Sequence, residues 1–443
     1  MDIQLSDHFT YKRLIKFVIP SIVMMIFTSI YGVVDGLFVS NFAGTTAFAA
    51  VNLVIPFTMI LGAFGFMFGT GGSALVAMTL GQGKQKLANK IFSFLIYTAL
   101  IFGSILAILG IIFLEPIMIL LGAEGEMVGL CVIYGRIILM AIPAFMLQNM
   151  FQSFMVTAER PDLGLKVTVM AGVTNMILDA LFIGLFKWGV AGAALATGIS
   201  QYVGGIVPLV FFARKNETML KLTKTRFMGR ELVKSCTNGA SELITNISMS
   251  LVSMLYNLQL IKIAGENGIA AYGVIMYLNF VFVAIFLGYA IGTAPIFGFN
   301  YGAANHAELK NVFKKSLIIN TVFGAVLATT AILLAEPLSR IFVGYDQELL
   351  DMTVRGMRLF SISFYLCGYP IFGSSFFTAM NNGLVSGIIS ASRTVVFQVG
   401  AVMILPIFWG LDGIWHSINV AEAGATLVTV YFLVKNRKKY KYV

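Results

Sequence analysis

Charge is scarce in this sequence. Only 11% of its 443 residues are charged, while 58% are hydrophobic and the mean hydropathy is +0.89. Ordinary soluble domains carry about 25% charged residues, and a water-soluble globule this apolar could not cover its hydrocarbon with polar surface. Histidine and cysteine are scarcer still, at three each. His8, His306 and His416 are widely scattered, which speaks against a metalloenzyme centre. Cys131, Cys236 and Cys367 sit in or beside apolar runs without disulfide or metal spacing, and read as small core hydrophobes. No nucleophile–base pair or phosphate-cradling loop is found. The glycine-rich stretch GTGGSALVAMTLGQGK lacks the Gly-Lys-Ser/Thr ending of a nucleotide-binding loop, so neither ATP hydrolysis nor any other enzyme activity is expected. The first segment, MDIQLSDHFTYKRLIKF, is polar and amphipathic, and the apolar run behind it outlasts a signal peptide, so no cleavable signal is expected.

Long apolar runs are what the chain has instead. A helix needs about 20 apolar residues to cross roughly 30 Å of hydrocarbon. Twelve such runs lie at about 15–39, 47–79, 91–114, 130–158, 164–186, 190–213, 236–261, 269–301, 316–335, 354–379, 385–408 and 414–434. The formal charge of +10 is explained by placement. Of the 30 Lys and Arg, 24 fall on alternate connections: the N-terminus, the loops bearing Lys84 and Arg160, the stretch from Arg214 to Lys234, the loop bearing Lys310, Arg393, and the tail KNRKKYK. The positive-inside rule then puts both termini in the cytoplasm of a multi-pass protein of the cell (inner) membrane, and leaves no reason to expect a nucleic-acid partner.

The chain also matches itself at a shift of 221 residues. Trp188-Gly189 falls on Trp409-Gly410, Glu115-Pro116 on Glu336-Pro337, Gly81 on Gly302, Gly135 on Gly356, Thr157-Ala158 on Thr378-Ala379, Ala43-Gly44 on Ala264-Gly265 and Ala49-Ala50 on Ala270-Ala271. Six spans per unit is an even number, so both copies enter and leave on one face. The predicted fold is therefore an all-α integral membrane protein of twelve transmembrane helices. Its two parallel six-helix repeats, residues 1–213 and 235–443, surround a central cavity and are joined by a cytoplasmic linker at 214–234.

An ionisable group at the bilayer centre costs about 2.5–3.5 kcal/mol on insertion scales and needs a reason. The first unit holds Asp35 in span 1 and Asp179 in span 5, with Asn175 one turn before Asp179 on the same helix face. Asn149 and Gln152 in span 4 and Thr197 in span 6 complete a polar set. Low dielectric favours the neutral form of a carboxyl, which suits proton exchange. The same oxygens also suit a hard cation such as Na⁺, and the amides alternatively serve as hydrogen-bonding glue between helices. The repeat copies the scaffold and not the charges: Asp35 falls on Tyr256, Asn175 on Val396 and Asp179 on Gly400. The second unit has its own acid, Glu242 in span 7. Glu422 in span 12 has no evident partner, and His416 lies near the outer end as an interfacial residue. Pro20 shares a helix with Asp35 and is a candidate hinge. The abundant Phe and Met suit a promiscuous pocket.

The two six-span halves, Pro20 and Asp35 in span 1, the stretches GTGGSALVAMTLGQGK and GTAPIFGFNYGAAN, and KWGVAGAALATGIS together resemble the multidrug and toxic compound extrusion (MATE) family, its bacterial branch, over nearly the whole chain. The resemblance implies export of small cationic, amphipathic compounds by antiport with H⁺ or Na⁺, with no cofactor, by a monomer in membrane lipid whose lobes open alternately. It implies a cation-coupling site of Asp35, Asn149, Asn175, Asp179 and Thr197, a bending Pro20, and a substrate cavity to which Gln152, Glu242 and Tyr256 belong. Some relatives carry a further Asp in span 10; FSISFYLCGYPIFGSSFFTAM has none, which favours a coupling site in the first unit. A flippase for lipid-linked saccharides is the alternative. It calls for cavity arginines, whereas the arginines here are expected at span ends and in loops. A channel is the remaining alternative, and nothing in the sequence resembles a selectivity filter.

Overall fold

The computed structural model describes residues 3–42 and 45–443, without the side chains of residues 33, 36, 37, 40–42 and 45. The Ala43-Gly44 end of the internal match lies outside the described residues. Helices dominate because, in lipid, each spanning segment must satisfy its own backbone N–H and C=O groups. The first half comprises α1 (Tyr11–Phe42), α2 (Thr45–Gly81), α3 (Gln85–Leu120), α4 (Glu126–Thr157), α5 (Pro161–Asp179) and α6 (Gly189–Ala213). Helix α5 runs into a single π-helical segment, Ala180–Leu185. The segment from Arg214 to Met228 is free of helix. The second half comprises α7 (Gly229–Gly302), α8 (His306–Leu333), α9 (Ala335–Val343), α10 (Gln347–Ser361), α11 (Phe364–Ala379), α12 (Gly383–Ala391), a π-helical segment Ser392–Gln398, and α13 (Val399–Tyr440).

Among the described residues nine helices are long and apolar enough to cross a membrane, and the pair Gln347–Ser361 and Phe364–Ala379, bent by 47°, makes a tenth span. Two of the nine are too long for one crossing. At 1.5 Å per residue the 74 residues of α7 would run about 110 Å. The chain breaks at Gly265 (φ 60°, ψ −149°), and the last long helical stretch breaks at Gly410 (φ 54°, ψ −130°). Positive φ there is open to glycine at no steric penalty. These breaks bring the crossings to twelve.

The repeat is visible in the backbone itself. Gly410 is the 221-shifted partner of Gly189, which also has φ of 55°, and Ala304 (φ 54°) is the partner of Gly83 (φ 74°). Packing follows the same division. One apolar core draws its buried residues from 39 to 220, a second from 252 to 418. A third core gathers at the end of the bundle bearing both termini, where Leu5, Phe9, Val156, Phe376, Tyr440 and Tyr442 are buried together.

The halves meet closely at that same end. A Cβ on Gly239 of α7 would strike the Met67 carbonyl of α2, and one on Gly71 would strike the Ser235 carbonyl. Gly81 lies against the Phe299 carbonyl while Gly302 lies against that of Met78, so the two 221-related glycines pack reciprocally. Gly288 and Gly292 sit likewise on Ile22 and Val18 of α1. Small residues at such crossings let backbones approach and gain dispersion contacts, the main attraction left between helices in lipid.

Candidate ion-coupling site

Helix α5 places Asp179 at its last turn, where the helix loosens into the π-helical segment; such bulges frequently mark functional positions. Asp179 is fully buried and Asn175, one turn earlier, nearly so. Helix α1 brings the Asp35 carboxyl beside Asp179 and Asn175, close enough for each to feel the other. From α6, Thr197 Oγ1 accepts a long hydrogen bond of 3.5 Å from Asn175 Nδ2. Four of the expected residues therefore converge.

What distinguishes the cluster is its surplus of acceptors. Asp35 Oδ1, both Asp179 oxygens and Asn175 Oδ1 are buried with no hydrogen bond from the described residues. Buried polar atoms are seldom left this way, because each forfeits its hydration without replacement. Two carboxyls and an amide with four unpartnered oxygens among them are satisfied by a shared proton or by a small hard cation.

Two aromatic residues that the sequence did not single out border the pair. Tyr31, one turn before Asp35 on α1, feels the Asp35 charge. Tyr134 of α4 is buried and feels the charge of both carboxyls. Tyr31 could have been found by its four-residue spacing from Asp35. Tyr134, on another helix, leaves no local signal.

The other expected residues lie elsewhere. Asn149 donates to the Gly62 carbonyl of α2 at 3.2 Å and so ties α4 to α2. Gln152 is buried with its Oε1 unpartnered. Glu242, half-buried on the first limb of α7, belongs to the other half; its backbone carbonyl accepts from Asn246 Nδ2 at 2.8 Å. Tyr256 is fully buried inside the second half, its ring stacked on Tyr272 at 4.9 Å. Pro20 sits within α1, which runs unbroken from Tyr11 to Phe42. His416 contacts Asn419 at 3.0 Å and the Trp409 ring edge.

One expectation is corrected outright. Arg393, counted with the basic connections, is not in a loop. It lies in the π-helical segment of the eleventh span, and its guanidinium grips Glu422 of α13 in a buried pair of 2.6–3.0 Å. Glu422 thus has a partner, and one arginine does lie inside the bundle.

The chain is 25% identical over 434 residues to multidrug export protein MepA of Staphylococcus haemolyticus, covering 97% of this chain and 94% of that protein. To MepA of Staphylococcus saprophyticus it is 27% identical, covering 96% and 94%. Its fold superposes with a TM-score of 0.92 on an outward-facing multidrug resistance MATE family transporter, at 24% identity and covering 100% and 99% of the two chains. A TM-score of 0.88 relates it to a MOP superfamily transporter from Pyrococcus furiosus, at 24% identity and covering 98% and 97%. The family model MatE matches residues 20–181 and 243–403, one stretch in each half and most of the chain together, so this twelve-span membrane protein belongs to the MatE family.

Proposed function

We propose that the chain is a secondary multidrug exporter of the cell membrane, with both termini cytoplasmic. It expels small cationic, amphipathic compounds in exchange for H⁺ or Na⁺. The observation that carries this reading is the set of donorless buried oxygens on Asp35, Asn175 and Asp179. An uncompensated pair of carboxyls is costly in a low-dielectric core, and a cation entering from outside relieves that cost. Residues 1–213 and 235–443 then act as two lobes hinged through the 214–234 linker. The close glycine contacts at the terminal end hold the cytoplasmic side shut, and cation binding repacks α1 about Pro20 to release the drug. Thr197 supports the site and Asn149 braces α4 against α2, while Gln152, Glu242 and Tyr256 belong to the substrate cavity, where Glu242 lends negative potential that attracts cationic substrates. The protein works as a monomer in lipid, needs no cofactor and catalyses no reaction.

The flippase alternative gains one observation, since Arg393 is inside the bundle. Its charge is already committed to Glu422, however, and leaves little for a lipid diphosphate. Drug movement in vesicles of purified protein under a pure proton gradient, and separately under a pure sodium gradient, tests the reading and names the ion. Asp35→Asn should abolish movement in the effective gradient while leaving the protein monodisperse and folded. A variant that still extrudes drug down that gradient overturns the mechanism.

A further inference from the structure

The pair Arg393–Glu422 has a place in the duplicated plan of the molecule. Arg393 Nε reaches Glu422 Oε1 and Oε2 at 2.9 and 3.0 Å, and Nη2 reaches Oε1 at 2.6 Å. Only 18% and 1% of the two side chains are exposed. Their neighbours are Cys367 of α11 and Tyr256 of α7, both of which feel the Glu422 charge. Tyr256 is the residue on which Asp35 falls at the 221 shift, while Asn175, Asp179 and Thr197 fall on Val396, Gly400 and Ile418.

Around Tyr256 several matched positions are bulkier or charged in the second half, although Asp179 itself falls on Gly400. Tyr256 stands for Asp35, Tyr272 for Val51, Trp415 for Ala194, Glu422 for Gln201 and Arg393 for Gly172. Three small or acidic positions became large aromatics. Tyr256 and Tyr272 stack at 4.9 Å with an interplanar angle of 7°, and fully buried Trp415 packs on Gly356. The first half thus holds two carboxyls with unpartnered oxygens, and the second holds one buried carboxylate gripped by a guanidinium.

We infer that the Arg393 guanidinium is a tethered cation that keeps the second half's buried acid, Glu422, out of ion exchange and so limits coupling to the first half. A tethered cation cannot dissociate, so this half keeps one packing while the first half cycles. The assignment rests on the coupling reading above, and Arg393 acts through Glu422 as a positioning residue. Its consequence is that Glu422 becomes a binding carboxylate once the guanidinium is gone, since a buried carboxylate stripped of its partner must take up a proton or cation.

Carboxyl labelling of the purified full chain by dicyclohexylcarbodiimide, mapped by peptide mass spectrometry, reads this directly. In the wild type Asp35 or Asp179 should be modified and Glu422 spared. In Arg393→Gln, Glu422 should gain an adduct that the coupling cation suppresses, whereas Arg393→Lys should leave it spared. Modification of Glu422 in the wild type, or its absence in a folded Arg393→Gln protein, overturns the inference. If Arg393→Gln does not fold, the charge-balanced double variant Arg393→Gln with Glu422→Gln decides. It should export with an unchanged ratio of cation to substrate, and an altered ratio overturns the inference. Failure of Asp35 and Asp179 to be labelled would instead strike the coupling reading, so the two outcomes are distinct.

Discussion

The backbone N–H of Phe9 donates to Glu308 Oε1 at 2.9 Å, tying the segment before α1 to the first turn of α8, some 300 residues away. Glu308 also binds His8 Nδ1 and Asn311 Nδ2, each at 2.7 Å, and the Phe9 carbonyl accepts from Lys315 Nζ at 2.6 Å. Four residues earlier, Leu5 donates to Glu159 Oε1 of the first half at 2.6 Å, while its carbonyl accepts from Asn300 of the second. Leu5 and Phe9 are fully buried, so the strap bridges both halves across the terminal end. Glu308→Ala leaves a buried N–H without a partner, a loss of about 1–3 kcal/mol. Thermal unfolding should drop accordingly, and trypsin should cut faster at Lys12 and Arg13. Lys310→Ala, on the exposed face of the same turn, should do neither.

Glu159 gives the strap a pH dependence. Burial pushes its carboxyl above the usual value of 4.5, partly opposed by the Leu5 N–H, with Asp7 adding to the rise. A raised acid binds its proton more tightly in the folded state, so stability is lost as pH rises from 4.5 through the folded value. Glu159→Gln keeps an acceptor for Leu5 and removes the titration. The variant should match the wild type near pH 4 and unfold at a higher temperature near pH 8. Melting curves across that range check it, and a variant less stable at the alkaline end refutes it.

Closure at the terminal end depends on Gly239, where any Cβ meets the Met67 carbonyl. Gly239→Val should hold α7 off α2, and overpacking of this kind costs about 1–3 kcal/mol. Native Cys236, half-buried beside this crossing, reports the gap. Its alkylation by a water-soluble maleimide should accelerate in the variant, with buried Cys131 and Cys367 as unchanged references.

Much of this was legible in the sequence because the membrane leaves few choices. Apolar runs had to be helices, and the 221-residue self-match carried the duplicated plan down to the paired glycine breaks at 189 and 410. Asp35, Asn175, Asp179 and Thr197 converge as expected, since buried polar residues in neighbouring spans have only one another to face. Tyr134 was not foreseen because an aromatic in a span rich in them carries no signal. Arg393 was counted with the basic connections for its charge although it falls within the apolar run at 385–408; only the packing of α13 shows where its partner lies.

The sharpest test of the site lies in Asp179 itself. A residue kept for packing should cost stability when altered, whereas a residue kept for exchange is held at a loss. Asp179 offers two buried acceptors to surroundings that return no donor. Asp179→Asn keeps the shape and introduces an N–H₂ that can donate to Asp35 Oδ1. It should therefore raise stability by about 0.5–2 kcal/mol, the usual yield of repairing a strained functional position. Cation-driven export should vanish in the same protein, because one exchangeable negative charge is gone. Melting temperature and vesicle transport measured on one preparation give both answers. Export that survives in a destabilised variant would return Asp179 to the role of helix glue.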